Sequence, residues 1–455
     1  MTSKKIDVNI PYKVYNNSYC LKGDNQEGHN KDSIEIDPIF YFAIENYDTK
    51  ILKFLISNDN IDFNCPFIYK SKPCTFEIDD VYNDKDEKYK KPKEEEIDNL
   101  VTPLELATSM NDLNILTLLF ENDKIDVNKK SNRTVVKIEQ KKTSTQIYSP
   151  IYITYKNNYI EILKLFLANE KLENDAEYIV IIDKESDGIK NKSCIGSSLL
   201  FWAFITNKNE FFDLFMESGK FDINTKSKIN KININNNLRT IDIIENEFSL
   251  LSKTIQDNNI DKFQILLSYE NIDPNAISSE VEKNLKFEDY DSLKNYLVSQ
   301  EITSKNHVES FSLTKEEASL LHQAVRLDRI EMIEILLSND KIDANIHDIK
   351  INQKFDKNKI DQNIETKTKM TPLFYAIQFN NIEIVKILLS SNNVDVNCHS
   401  FLSNYHKLAV DDIDKENDNL ECFGFTPFNF AEKLSRTEII KLFLSLKDEK
   451  NINTD

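Results

Sequence analysis

The chain has 455 residues, of which 40% are apolar and 10% aromatic, enough to bury a core and to exclude wholesale disorder. Its net charge of −19 repels phosphate backbones and anionic lipid surfaces, which argues against nucleic acid and membrane partners. No apolar run approaches the roughly 20 residues that span a bilayer. Met1–Asp7 lacks a signal-peptide core, and the six cysteines show no disulfide spacing, so a cytoplasmic location is expected.

In chain order, the first recognisable phrase is Lys5-Ile6-Asp7-Val8-Asn9, which returns as Lys124-Ile125-Asp126-Val127-Asn128. Related closings follow at Ile61–Asn64, Phe221–Asn224, Ile272–Asn275, Ile342–Asn345 and Val394–Asn397. Each is preceded by a segment that opens on Ser, Thr or Pro and holds a small residue five positions later. Eight such segments open at Pro38, Thr102, Ser149, Ser198, Ser249, Ser319, Thr371 and Thr426.

Each segment reads as two short antiparallel helices. A Ser or Thr hydroxyl at the opening satisfies an orphan N–H, and Pro103, Pro150, Pro372 and Pro427 fall at the first helical position, where a missing N–H costs nothing. The second helix carries apolar residues at helical spacing, as in Ile384, Val385, Leu388 and Leu389. A two-helix unit this small cannot bury its own apolar face, so the copies must stack into one core.

The connectors are long. Glu177–Ile182, Thr134–Glu139 with Gln146–Tyr148, and Ile346–Ile351 read as strands of elongated hairpins. Residues 83–97 are highly charged and read as flexible, while Asp289–Val298 has the pattern of an extra helix. The chain opens on a connector. Either an upstream repeat is missing or that finger caps the stack.

The openings Thr102-Pro103-Leu104, Thr371-Pro372-Leu373 and Thr426-Pro427-Phe428 resemble the ankyrin repeat family, whose first helix starts Thr-Pro-Leu-His-x-Ala. The resemblance covers all eight copies. Two departures stand out. The glycine usually found between the helices is replaced by Asn111, Asn158, Asn207, Asn258, Asp328 and Asn380, the residue types that best tolerate a left-handed backbone. The motif's histidine survives only as His322, where it implies a hydrogen-bonding role at the repeat start.

The resemblance implies an all-α dominated fold, an ankyrin-type helix-turn-helix solenoid with elongated β-hairpin fingers between repeats. The expected organisation is an N-terminal finger or partial repeat over 1–37 and a single eight-repeat array over 38–455, with large insertions at 65–101 and 276–318. It further implies a non-catalytic scaffold that binds partner proteins through its concave helix face and its fingers. The alternatives are an assembly component packing laterally through the fingers, or a substrate-adaptor or regulatory subunit.

Family binding positions lie just before the interhelical turn. Carried over, they include Met110, Ile205, Arg326, Leu327, Gln378, Phe379, Lys433 and Leu434. Met110, Ile205, Leu327, Phe379 and Leu434 are apolar where a solvated face is polar, which marks either a contact site or burial under a finger.

No cofactor, metal or small-molecule substrate is expected. Six scattered glycines cannot build a phosphate loop, and no nucleophile–base motif is present. Cys398, His399, His406 and Cys422 are zinc-capable but lack a standard spacing. Asp183–Gly188 begins like a calcium loop but has Cys194 where the closing Glu belongs, and Trp202 reads as core beside Ala203.

Overall fold

A computed structural model describes residues 39–57, 64, 67–68, 94–137, 142–173, 177–186, 188–299, 308–358, 364–405 and 423–454. The opening connector and the charged stretch 83–93 lie outside them. Two compact units divide the chain: Met1–Val180 with Ser198–Asp222, and Ile181–Ser197 with Ile223–Asp455.

The first unit holds the helix pairs α1 (Ile39–Glu45) and α2 (Thr49–Ile56), α3 (Pro103–Ser109) and α4 (Leu113–Phe120), α5 (Pro150–Asn157) and α6 (Ile160–Ala168), and α7 (Leu199–Ile205) and α8 (Asn209–Glu217). Its strands are β1 (Phe67–Ile68), β2 (Glu94–Val101), β3 (Ser131–Lys137) and β4 (Lys142–Tyr148). Next comes β5 (Glu177–Ser186), which begins in this unit and belongs to the second from Ile181 on, as does β6 (Ile189–Ser198) up to Ser197. First helices pack in the order α1–α3–α5–α7 and second helices in the order α2–α4–α6–α8.

The second unit continues with β7 (Ser227–Asn235), β8 (Thr240–Phe248), α9 (Leu250–Asp257), α10 (Ile260–Leu267), β9 (Ile277–Phe287), α11 (Tyr290–Ser299) and β10 (Val308–Ser319). Then follow α12 (Leu320–Arg326), α13 (Ile330–Leu337), β11 (Ile349–Asp356), β12 (Ile364–Lys369), α14 (Pro372–Gln378) and α15 (Ile382–Ser390). It ends with β13 (Ser400–Tyr405), β14 (Phe423–Phe425), α16 (Pro427–Lys433), α17 (Thr437–Ser445) and α18 (Lys447–Lys450). Here too the first helices stack, α9–α12–α14–α16, as do the second helices, α10–α13–α15–α17.

The local signals act as their chemistry requires. Thr102, Ser198, Ser249 and Thr426 each accept a backbone N–H three residues on. The interhelical Asn111, Asn158, Asn207, Asn258, Asp328 and Asn380, together with Tyr47 and Ser435, all sit at φ between 53° and 62°. The core is built from the paired helices, with Ala43, Ala107, Ala203, Ala324, Ala376 and Ala431 at 0% exposure. The same position holds buried Thr154 and Thr254 in two other repeats, so it accepts only small residues between the paired helices.

The all-α dominated expectation is wrong: fourteen strands accompany the helices among the described residues. The fingers are not separate hairpins on a helical solenoid, because strands of successive connectors hydrogen-bond to each other. In the second unit, β6 pairs with β7, β8 with β9, β10 with β11 and β12 with β13, all between different connectors. In the first unit, β2 pairs with β3 in the same way. Glu94–Glu96, read from sequence as flexible, lie in that ladder. The reason is dimensional. Two strands at about 4.8 Å apiece occupy roughly the 8–10 Å that separates packed helices, so one hairpin per repeat tiles without a gap. An isolated hairpin is marginal in water, whereas a shared ladder leaves few strand edges unpaired.

The sheet of the second unit carries its own core. Leu293 and Tyr296 of α11 join Ile241, Leu285, Phe287, Val308, Phe311 and Leu313, all buried. The extra helix expected in this connector is present, and it covers the apolar face of β8, β9 and β10.

Candidate interaction face

The closing phrase fixes the spacing of the repeats. The Asn64 side chain donates to Lys124 O and accepts from Asp126 N, at 2.7 and 2.8 Å. Asn128, Asn224, Asn275, Asn345 and Asn397 make the same two-pronged contact with the next phrase in the chain. A carboxamide offers one donor and one acceptor side by side, which is what a peptide C=O and a nearby N–H require. In the next repeat the phrase's Asp caps its own turn, as when Asp395 accepts from Asn397 N at 2.9 Å.

On this frame the second unit presents the ends of its first helices. Arg326, the last residue of α12, ion-pairs with Glu316 of β10 and with Asp348 (2.9 Å). Lys350 reaches Glu316 from β11 at 3.3 Å. The guanidinium lies 4.3 Å over the Tyr375 ring, whose hydroxyl donates to Asp348. Asp348 also accepts from Met370 N at 2.9 Å. Burial pushes the Asp348 carboxyl above the ordinary carboxylate range, and Tyr375, Met370 and Arg326 pull it part of the way back. The helix end is therefore clamped to the strands by charge-assisted bonds.

Leu327, 40% exposed, and Phe379, 54% exposed, cap the ends of the adjacent helices α12 and α14. The Phe379 ring lies 6.1 Å from that of Tyr375, so it borders the Arg326 clamp. Gln378 is exposed, and its carbonyl accepts from Arg436 at 2.7 Å. Lys433 is exposed, with its ammonium 4.2 Å over Phe425, and Leu434 is half-buried. In the first unit, Met110 caps α3 and Ile205 ends α7, both half-buried. Arg326 and Tyr375 thus link Leu327 to Phe379, whereas Met110 and Ile205 lie in a different unit.

Sequence reasoning missed Glu316, Asp348, Lys350 and Tyr375. Their partners lie 22 or more residues away for Asp348 with Arg326 and with Met370, and no local motif announces such pairs. It also missed the aromatic row of the first unit. There Tyr152 stacks on Tyr178 at 4.1 Å, and Tyr178 meets Trp202 edge-on at 5.9 Å. Trp202 is half-buried, and its indole N–H is buried with no acceptor among the described residues.

His322 is fully buried. Its Nε2 donates to Met370 O at 2.9 Å, and Nδ1 accepts from Ser319 Oγ at 2.7 Å. Burial pushes its pKa down to about 4. In the same helical position of the second repeat stands Glu105, buried, bonded by Thr102 N and by Tyr148 OH at 2.9 Å, and held above its ordinary range mainly by burial. Both residues tie a repeat opening to a strand or its flank.

Of the zinc-capable group, His406 and Cys422 lie outside the described residues. Cys398 is buried against Thr371, and burial raises its thiol to about 11. No metal-binding cluster of His, Cys, Asp or Glu occurs among the described residues. No described helix is long and apolar enough to cross a membrane.

Stacked helix pairs with a positive-φ turn inside each pair and a closing asparagine after it define a helical-repeat protein. A family model of ankyrin repeats in three copies matches residues 286–400 and again 354–455, so the C-terminal region of this chain is similar to ankyrin repeats. No curated protein matches the chain.

Proposed function

We propose that this protein is a non-catalytic binding platform for other proteins, with the Leu327–Phe379 face of the second unit as its contact site. Ankyrin repeats generally mediate protein–protein interaction, and their family is typically non-catalytic. The observation that carries the reading is a pair of exposed apolar side chains on adjacent repeats beside a pre-organised ionic base. Leu327 and Phe379 supply apolar area that water solvates poorly, and the Arg326–Asp348–Tyr375 clamp holds their helix ends in place. Polar neighbours such as Gln378 supply a hydrogen-bonding rim.

The test is affinity purification with the whole chain as bait, alongside a Leu327→Asp plus Phe379→Asp variant. Partners held by the native chain and lost by the variant support the reading. An unchanged partner set sinks it for this face. A cytoplasmic setting is part of the same proposal, whereas a substrate-adaptor or regulatory subunit is the alternative to it, and the identity of the partners decides between them.

A further inference from the structure

Asp348 ties the Leu327–Phe379 face to the sheet, and every group bonded to its carboxylate is a donor. One oxygen accepts from Arg326 Nη2 at 2.9 Å and from the Tyr375 hydroxyl, and the other accepts from Met370 N at 2.9 Å. Asp348 is 1% exposed and Tyr375 6%, so bulk water is kept from these bonds. An ionised carboxylate suits this setting, because both oxygens accept and neither donates. Protonation turns one oxygen into a donor opposite groups that donate to it, and it removes the charge that Arg326 answers.

The charged and titratable groups around this carboxylate come from several elements. Arg326 and His322 stand on α12, Glu316 on β10, Lys350 on β11 and Tyr375 on α14, and His347 precedes Asp348 in the chain. Neither histidine is bonded to Asp348: His322 bonds Ser319 and Met370 O, and His347 bonds His399 O. Arg326 and Lys350 both meet Glu316 as well, so a second anion stands ready for Arg326. Burial holds the Asp348 carboxyl above the ordinary carboxylate range, against the pull of Tyr375, Met370, Arg326 and Lys350. It therefore gains its proton at a higher pH than an exposed aspartate does.

We propose that Asp348 switches the contact face: ionised, it holds Leu327 and Phe379 in register, and neutral, it lets Arg326 pass to Glu316 and frees both helix ends. The link to the face is short. Leu327 follows Arg326 and caps α12, and the Phe379 ring lies 6.1 Å from that of Tyr375. Releasing Arg326 also withdraws the cation from the Tyr375 ring, 4.3 Å away. Without its cation the buried carboxyl binds a proton more tightly, so acid favours the released arrangement. A partner held at neutral pH is then let go in mild acid. That consequence rests on the reading of Leu327 and Phe379 as the contact site, whereas the switch itself belongs to the free chain.

Fluorine NMR of the full chain, with para-fluorophenylalanine in place of Phe379, tests this from neutral pH into mild acid. The chain is expected to show one reversible change in this resonance before helical circular dichroism is lost. Asp348→Asn, a neutral amide of the same shape, gives the acid-form resonance already at neutral pH and shows no transition. Arg326→Gln moves the midpoint to higher pH, because the lost cation favoured the charged carboxylate. Lys350→Gln, at a half-buried rim position, moves it the same way by less and does not require the buried variants to fold. His322→Gln and His347→Gln keep the transition. A resonance that is unchanged until the chain unfolds overturns the proposal. So does a transition that survives in Asp348→Asn, vanishes in either histidine variant, or keeps its midpoint in both Arg326→Gln and Lys350→Gln. Since no partner is present, such a failure leaves the contact-site reading to its own test, the Leu327→Asp plus Phe379→Asp variant.

Discussion

Asn345 and Asp395 are joined by a 2.7 Å bond from the Asp395 backbone N–H to Asn345 Oδ1, while Asn345 Nδ2 donates to Asn393 O two residues earlier. One side chain thereby sets the distance between the closing phrases of successive repeats. Asn345→Ala removes both bonds at a half-buried site and is expected to cost about 1–2 kcal/mol. Asn345→Asp keeps the acceptor, but its carboxylate faces the Asn393 carbonyl oxygen, and it should cost at least as much. Denaturant unfolding measures both. Equal stability of all three chains would show that water replaces these bonds without loss.

The left-handed turns give predictions of opposite sign. Asn380 at φ 57° tolerates that backbone through its short polar side chain, and Asn380→Ala should destabilise by about 1 kcal/mol. Tyr47 holds φ 53° with a bulky side chain 54% exposed, so Tyr47→Asn should stabilise by up to about 1 kcal/mol. Thermal melts of the two variants should move in opposite directions.

His322 makes stability depend on pH. Its folded pKa is depressed to about 4 from the ordinary 6.5, because burial disfavours the imidazolium. Its contribution is therefore complete above pH 6.5 and is lost as pH falls through 4. In that window the unfolded chain takes up a proton that the folded chain resists. The full loss is about 3 kcal/mol. His322→Gln should remove this component, so the native-minus-variant difference should shrink on acidification. A difference independent of pH would mean that the folded imidazole titrates normally.

Arg326 and Leu327 are sequence neighbours with different expected roles. Arg326→Ala leaves the Asp348 carboxylate buried without its cation and should cost about 3 kcal/mol or more. Leu327→Asp alters an exposed position and should change stability by no more than about 0.5 kcal/mol. If Leu327→Asp unfolds the chain, Leu327 belongs to the core and the proposed contact face is misplaced.

Deleting Ile229–Asn246 removes most of β7 and β8. The helices keep their spacing, so β6 cannot close the roughly 10 Å gap to β9. The α11 cluster also loses Ile241, which is fully buried. The expected outcome is a clear fall in melting temperature with exposure of the β9 edge, seen as aggregation or dye binding. A variant that melts like the native chain would return the fingers to the status of dispensable hairpins.

Features that depend on a few neighbouring residues are legible along the chain. Thr102 and Ser249 bond N–H groups three residues away, so their capping role is legible from spacing alone. Asn111 through Asn380 adopt positive φ because of a preference that acts within one residue. The alanines at 0% exposure mark helix contacts inside a single pair. The tertiary structure decided the rest. The pairing of β8 with β9, or of β10 with β11, follows from the match between strand and helix spacing across repeats, which no single connector encodes. The Arg326–Asp348–Tyr375 clamp likewise unites residues from α12, the flank of β11 and α14. Exposure, which separates Leu327 and Phe379 from half-buried Met110 and Ile205, depends on what every neighbouring element covers. Local chemistry acts over a turn of chain, whereas burial and strand partnership are properties of the assembled stack.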